Sequence, residues 1–365
     1  MTTWWQRSFR SLQGEAGVPE AGPLLRGAAG VLAHCYGFGS RSRRRLYDRG
    51  WLVPKRLPAP VLSIGNLTVG GTGKTPFTAY LARYYQNAGC RPVVLSRGYG
   101  GRAQGIQVVS DGHRLHLRPP WAGDEAYLLA TQLPGVPVVT GSNRHQAGML
   151  AWEAFRPDLF LLDDGFQHLS LHRDLDVVLL DAAQPFGNGR LLPRGPLREP
   201  VAALAKPLVL VLTRYEDSRH HPLWLAMRQS FPAATVVRAS FHLQDAVLYP
   251  GGRRVELAAL VGKRLAGLAS LARPEVFSAS LRAHGLDLQR LFVFPDHHPY
   301  TTPEVAQVAA AARGAGLAAV ITTEKDWVRL AGVWPLTLPL YVVPLTVTLL
   351  DDWPIHPLSL SCLGG

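Results

Sequence analysis

The chain has few cysteines, few acidic residues for its length and no long apolar run. Its three cysteines, Cys35, Cys90 and Cys362, lie far apart in 365 residues with no C-x-x-C spacing. Neither a disulfide framework nor a zinc site is indicated, and a reducing compartment fits. No uncharged apolar stretch approaches the ~20 residues needed to span a bilayer. A signal peptide is not expected, because Trp4 and Trp5 are followed by polar and acidic residues rather than by an apolar segment and a cleavage site. Internal repeats are missing as well. The shortage of acid is the most informative: 26 Asp and Glu stand against 38 Lys and Arg, a formal net charge of +12. That excess asks for an anionic partner, be it nucleic acid, a phosphorylated substrate or an anionic membrane face, and charge alone does not choose among them. With 47% apolar and 18% charged residues the composition is globular, and the length suits two domains.

What is present is a phosphate-binding loop. The apolar run Pro60-Val61-Leu62-Ser63-Ile64 leads into Gly65-Asn66-Leu67-Thr68-Val69-Gly70-Gly71-Thr72-Gly73-Lys74-Thr75-Pro76, and Phe77 to Tyr84 reads as helix. Glycines let the backbone turn tightly and aim N–H groups at a phosphate, while the helix adds the positive end of its dipole. Residues Thr68, Val69, Gly70, Gly71, Thr72, Gly73, Lys74 and Thr75 are therefore the expected nucleotide-binding set. Lys74 would reach the β- and γ-phosphates and the Thr75 hydroxyl would ligate magnesium. The strict pattern G-x-x-x-x-G-K-[ST] is missed only at its first position, where Thr68 replaces glycine, and Gly70 and Gly71 restore the flexibility. The competing reading is an ordinary glycine-rich turn with a chance lysine.

Short Val/Leu-rich runs recur at 92–96, 136–139, 159–163, 177–181 and 208–212, separated by helix-like stretches, which is how a parallel sheet buried on both faces reads. The fold class expected is α/β: a P-loop NTPase-like α/β/α sandwich, with a second, smaller α/β domain built from runs near 235–237, 291–294, 318–322 and 340–343 and the alanine-rich helix 302–315. Boundaries are expected at 1–45 for an N-terminal segment, 46–205 for the P-loop domain and 206–365 for the smaller one. Asn188 to Pro200, dense in Gly, Pro and Arg, reads as a loop over the site.

Asp163 and Asp164 end a buried strand, where ligands of open α/β sheets bind, and are placed to hold magnesium directly or through water. A turn role is the alternative. Asp124 precedes an apolar helix and reads first as an N-cap. Asp296-His297-His298 reads first as a polar loop. At the N-terminus, Trp4, Trp5 and Phe9 interleave with Arg7 and Arg10; an apolar band of Leu24, Leu25, Ala28, Ala29, Val31, Leu32 and Tyr36 follows, then Arg41, Arg43, Arg44 and Arg45. This suits a helix lying in the headgroup region of a membrane, or equally a helix packed on the protein's own core.

In this order, the motifs resemble the tetraacyldisaccharide 4′-kinases of lipid A biosynthesis, a P-loop kinase family of Gram-negative bacteria. The likeness runs from about Tyr36 to Asp326 and rests on the P-loop, Ser96-Arg97-Gly98-Tyr99-Gly100-Gly101, Gly123-Asp124-Glu125, Asp163 to His168, Asn188 to Pro193 with Gly195 to Glu199, Asp296-His297 and Thr323-Glu324-Lys325-Asp326. Ala126, where many members carry proline, and the loosely matching stretch Leu265 to Pro274 depart from it. The resemblance implies transfer of the ATP γ-phosphate, with magnesium, to the 4′-hydroxyl of a tetraacylated glucosamine disaccharide 1-phosphate, giving lipid IVA. It implies that Asp124 takes the hydroxyl proton and pairs with His297, and that Lys74 serves phosphate transfer. Arg97, Arg144 and Arg198 would line the phosphate and headgroup region, and Glu199 would join Thr75, Asp163 and Asp164 near the metal. A lipid substrate favours the N-terminal segment as a peripheral anchor on the cytoplasmic face of the inner membrane, with no nucleic-acid partner. The rivals are a P-loop GTPase or maturation ATPase, of which the switch GTPase would want the guanine signature Asn-Lys-x-Asp where Thr323 to Asp326 stands, and a nucleic-acid-binding ATPase, which would want a basic stripe with interleaved aromatics.

Overall fold

The computed structural model describes residues 22–206, 208–335 and 337–356. Trp4, Trp5, Arg7, Phe9, Arg10 and Cys362 lie outside the described residues. The strands are β1 Val61–Asn66, β2 Pro92–Ser96, β3 Gln107–Ser110, β4 Val138–Thr140, β5 Leu159–Asp163, β6 Leu175–Asp181, β7 Leu208–Thr213, β8 Ala234–Leu243, β9 Ala246–Tyr249, β10 Arg253–Val255, β11 Leu265–Ala269, β12 Leu288–Val293, β13 Ala319–Thr323, β14 Leu340–Val343 and β15 Leu345–Leu349. The α-helices are α1 Pro23–Asp48, α2 Lys74–Asn87, α3 Asp124–Gln132, α4 Arg144–Phe155, α5 Asp217–Ser230, α6 Pro274–Ala283, α7 Thr302–Gly314 and α8 Glu324–Leu330.

Nine strands form the larger sheet in the order β15-β8-β7-β6-β1-β5-β2-β4-β3. Its interior pairs are parallel and its two edge strands, β3 and β15, run antiparallel. The alternation of side chains across the pleat explains why these strands read as unbroken apolar runs: both faces are covered. Leu62, Ile64 and Leu161 pack with Phe77 and Leu81 of α2 on one face. Val61, Phe160 and Leu162 pack with Ala147 and Ala151 of α4 on the other. The register that sets Ile64 beside Asp163 brings the end of β5 level with the start of the loop after β1.

Six strands form the smaller sheet in the order β10-β9-β14-β13-β11-β12. It has its own core around Leu268, Val305, Val320 and Leu340. The chain enters it between β8 and β9 and leaves it between β14 and β15. There the two connections touch, Gln244 N donating to the Pro344 carbonyl at 2.9 Å and Gln244 Nε2 to Thr346 Oγ1 at 2.8 Å.

The division into two sheets corrects the boundary expected at 205/206. β7 and β8 pair parallel beyond β6, and β15 returns to pair with β8, so 208–243 and 345–349 belong to the larger sheet. The error has a physical source: the hydrophobic pattern of a strand does not encode which sheet it joins. The run at 235–237, assigned to the smaller unit by its place in the order, lies in β8. The loosely matching stretch from Leu265 begins with β11, a fully buried strand.

Helix α1 docks through its small residues. Ala29, Gly30, Ala33 and Gly37 are its buried positions, and a Cβ on Gly37 would come within 2.5 Å of Leu191 Cδ1, so the 188–200 loop approaches the helix backbone directly. On the opposite side Leu24, Val31, Leu32 and Phe38 stay exposed, at 90%, 66%, 58% and 70%.

Candidate functional site

The loop after β1 is shaped by one buried side chain. Asn66 Nδ2 donates to the Thr68 carbonyl at 2.6 Å and to Thr72 Oγ1 at 3.0 Å, while its Oδ1 accepts from Lys74 Nζ at 3.2 Å. Gly73, at φ 88°, lies against the ring of Phe241 and leads into α2, so a side chain there would meet both strain and a clash. The loop is strapped to the segment after Asn188: Val69 N donates to the Pro196 carbonyl at 2.8 Å and Arg198 N to the Leu67 carbonyl at 2.7 Å. Of the expected nucleotide-binding set, Thr68 and Val69 thus hold the loop to its neighbour. Gly70 to Thr75 form the turn and the first residues of α2, whose leading N–H groups have no intrahelical acceptor.

The two strand-end carboxylates do different things. Asp163 is 2% exposed and accepts from Thr78 Oγ1 at 3.1 Å. Burial, with Glu125 and Asp164 nearby, raises its carboxyl above the ordinary range, and Lys74 and Thr78 oppose this. Asp164, at φ 52°, pairs with Arg198 Nη1 at 3.1 Å and with Lys74 Nζ at 3.5 Å. Burial works against its ionisation, but Lys74 and Arg198 outweigh burial and hold it below the usual carboxylate range.

Arg144, 3% exposed, donates Nη1 to the Gly141 carbonyl at 2.7 Å and leaves Nε without a hydrogen-bond partner. Burial lowers it to about 10, against the pull of Asp163, and Arg97 is near enough to add to the lowering. Arg144 is therefore near enough to feel the charge of the strand-end carboxylates. Glu199 departs from the expected metal set: its carboxylate is taken up by Arg44 of α1, which donates Nε at 2.9 Å and also Nη2. Burial raises the Glu199 carboxyl and Arg44 pulls it back. Sequence spacing gave no sign of this, because the partner lies 155 positions away. Among the described residues no group of three or more His, Cys, Asp or Glu could by itself hold a metal ion. A magnesium site does not require one, since this ion keeps waters and phosphate oxygens and takes only one or two carboxylates.

The second half of the site spans the two sheets. Asp124 is the first residue of α3, with Gly123 as its N-cap, so the N-cap reading of Asp124 is corrected by one position. Its Oδ2 lies 3.5 Å from His297 Nδ1 and 3.5 Å from Arg329 Nη1, both from the smaller-sheet region. His297 sits at φ 58° in the loop after β12, and Tyr99 meets its ring edge-on at 6.0 Å. Lys325 Nζ lies 3.1 Å from His297 Nε2, 3.3 Å from Asp296 and 3.7 Å from Glu125. Arg329 is fixed by the fully buried Asp326, which also accepts from Ser270 and from Tyr300 at 3.1 Å. Its Nε and Nη1 are buried without a hydrogen-bond partner.

Sequence reasoning quoted Lys325 but gave it no role, and missed Arg329, although the two stand four apart and so share one face of α8. It also missed Arg214, in the left-handed region at φ 54° just after β7. This residue donates to the Gly71 carbonyl at 2.6 Å and pairs with Asp181 at 2.6 Å, to which Arg273 of the smaller-sheet region also binds. A cavity of about 340 Å³ opens here, lined by Asp181, Arg214, Glu216, His220, Arg273 and neighbours. It sits at the ends of β6 and β7, beside the glycine-rich loop.

Comparison with known proteins agrees with this geometry. The family Tetraacyldisaccharide-1-P 4′-kinase (LpxK) matches residues 28–356. A tetraacyldisaccharide 4′-kinase of Geobacter metallireducens is 44% identical, over 89% of this chain and 95% of the relative. Its counterpart in Geobacter sulfurreducens is also 44% identical, over 92% and 93%. The crystal structure of LpxK from Aquifex aeolicus in complex with ATP superposes with a TM-score of 0.71 at 31% identity, covering 93% of this chain and 98% of that one.

Proposed function

The chain belongs to the Tetraacyldisaccharide-1-P 4′-kinase family, and from that membership we propose how its own residues divide the work. The enzyme is an ATP-dependent kinase of lipid A biosynthesis with a P-loop kinase fold, and it phosphorylates the 4′-hydroxyl of a tetraacyldisaccharide 1-phosphate. In the step, the hydroxyl oxygen forms a bond to the γ-phosphorus, the bond from that phosphorus to the β–γ bridging oxygen breaks, and ADP leaves with the electron pair. The hydroxyl proton passes to Asp124. Catalysis of this kind is positioning plus charge neutralisation. The observation that carries the assignment is the meeting of two groups: Lys74 with Asp163 and Asp164 at the strand ends, and Asp124 with His297 beside them, Glu125 lying close enough to Asp163 to raise it.

Lys74 and the amides from Gly70 to Thr75 would cradle the β- and γ-phosphates. The nucleoside end would extend over the cavity at Asp181 and Arg214, where the strand ends open beside the loop. Arg198 and the Arg97–Arg144 pair would face phosphate charge, guanidinium being well shaped for two phosphate oxygens. Thr75, Asp163 and Asp164 offer hard oxygen donors that fit magnesium, which supplies neutralisation of phosphate charge when bound. Asp164, although paired, meets Lys74 of the phosphate loop, whereas Glu199 is held by Arg44 of α1 and falls outside this set. Asp163→Asn and Asp164→Asn should each be assayed across magnesium concentrations. At least one is expected to need several-fold more magnesium for half-maximal rate, and flat titrations for both would remove the pair from the metal site.

Peripheral residence on the cytoplasmic face of the inner membrane is the second part of the proposal. No helix of the described residues is long and apolar enough to cross a membrane. The exposed stripe Leu24, Val31, Leu32 and Phe38 on α1, with Trp51 and Val53 just beyond it, favours an interfacial helix. The basic cluster divides. Arg44 binds Glu199, and Arg43 donates to the Gln167 carbonyl at 3.1 Å; Arg41 and Arg45 are exposed. At about 1 kcal/mol for each basic residue near an anionic surface, Arg41→Gln with Arg45→Gln should weaken binding to phosphatidylglycerol vesicles by roughly 10- to 30-fold and flatten its salt dependence. Unchanged flotation with the vesicles would return the segment to a purely structural role.

A further inference from the structure

We propose that Lys325 is a positioning residue that sets the tautomer of His297, so that the ring proton stands on Nδ1 and faces Asp124. The inference rests on Asp124 and His297 acting together, as proposed above. The ammonium lies 3.1 Å from His297 Nε2, within hydrogen-bond range. An ammonium has three donors and no acceptor, so the ring nitrogen that meets it must be the acceptor. In a neutral imidazole the other nitrogen then carries the proton, and here that nitrogen is Nδ1, 3.5 Å from Asp124 Oδ2.

The charge arrangement supports the same state. The Lys325 ammonium is flanked by Asp296 at 3.3 Å and Glu125 at 3.7 Å, which balance it and aim it. A doubly protonated ring would place a second cation against it, and a proton on Nε2 would set donor against donor. On the other side, Asp124 Oδ2 also has Arg329 Nη1 at 3.5 Å, a buried donor with no hydrogen-bond partner. Both donors address the same oxygen, which leaves Oδ1 of Asp124 for the acceptor hydroxyl. Lys325 and Arg329, one turn apart on α8, thus hold the dyad from its two ends. Lys325 also spans the two halves of the molecule: Asp296 and His297 lie on its own side, and Glu125 lies across the cleft next to Asp124.

The test compares Lys325→Met, which removes the charge at similar volume, with Lys325→Arg, which keeps a donor-only cation. The full-length protein is labelled with 15N in its histidine rings, and the His297 resonances are identified by their loss in His297→Gln. The wild type and Lys325→Arg are expected to show an unprotonated Nε2 and a protonated Nδ1. Lys325→Met should move both shifts toward the other tautomer or the doubly protonated ring. It should also lower kcat by about 10-fold or more while KM for ATP changes less than about twofold. Unmoved ring shifts in Lys325→Met overturn the proposal, and so do moved shifts with an unchanged kcat. If Asp124→Asn itself turned over at the wild-type rate, the base assignment would fall, while the ring shifts would still report what Lys325 does to His297.

Discussion

Replacing Lys74 with alanine is expected to lower kcat/KM by about 100- to 1,000-fold while leaving the fold intact. The side chain touches Asn66 and Asp164, not an apolar core. Without it, Asp164 keeps Arg198 as its partner at 3.1 Å. The loss therefore falls on phosphate charge in the transition state. Because Asn66 also donates to Thr68 and Thr72, the loop keeps its shape, and thermal unfolding should shift by only a few degrees. Activity within a few-fold of wild type, in a folded variant, would rule out the loop as the phosphate site.

Asp124→Asn and His297→Ala should separate the acceptor side from the nucleotide side. Asparagine preserves shape and removes the proton acceptor, so kcat is expected to fall about 100- to 10,000-fold with little change in KM for ATP. His297→Ala should produce a smaller loss of the same kind, since the ring orients Asp124 from 3.5 Å and does not itself meet the hydroxyl. If the two act as one unit, the double variant will be little worse than Asp124→Asn alone. Fully multiplicative defects would show that they act independently.

Much of this site was legible in the sequence because its signals are local. A strand, a glycine-rich turn and a helix start lie within one short segment, and the Asp163-Asp164 pair ends a run whose burial on both faces is written in its Val and Leu content. What was not legible depends on contacts between distant segments. The sheet that β7, β8 and β15 join is decided by pairing, which the alternation of one strand does not contain. The family resemblance puts Glu199 near the metal, and only the contact with Arg44 of α1 shows where its carboxylate is held. The basic run 41–45 reads as one cluster, yet Arg44 is taken up by Glu199 and Arg43 reaches the Gln167 carbonyl, contacts with partners 155 and 124 positions away. Arg329 and Arg214 carry no motif of their own. Their roles arise where one meets Asp124 across the cleft and the other grips the carbonyl of Gly71.

The central claim, phosphoryl transfer from ATP to an acylated sugar hydroxyl at this cleft, is tested most directly by following ATP consumption with and without a tetraacylated glucosamine disaccharide 1-phosphate, and by locating the new phosphate on the product. The account predicts ADP formation that depends on the disaccharide, one phosphate gained at the 4′ position, and loss of both in Lys74→Ala. ATP hydrolysis at the same rate without the disaccharide, with no phosphate on the sugar, would contradict it.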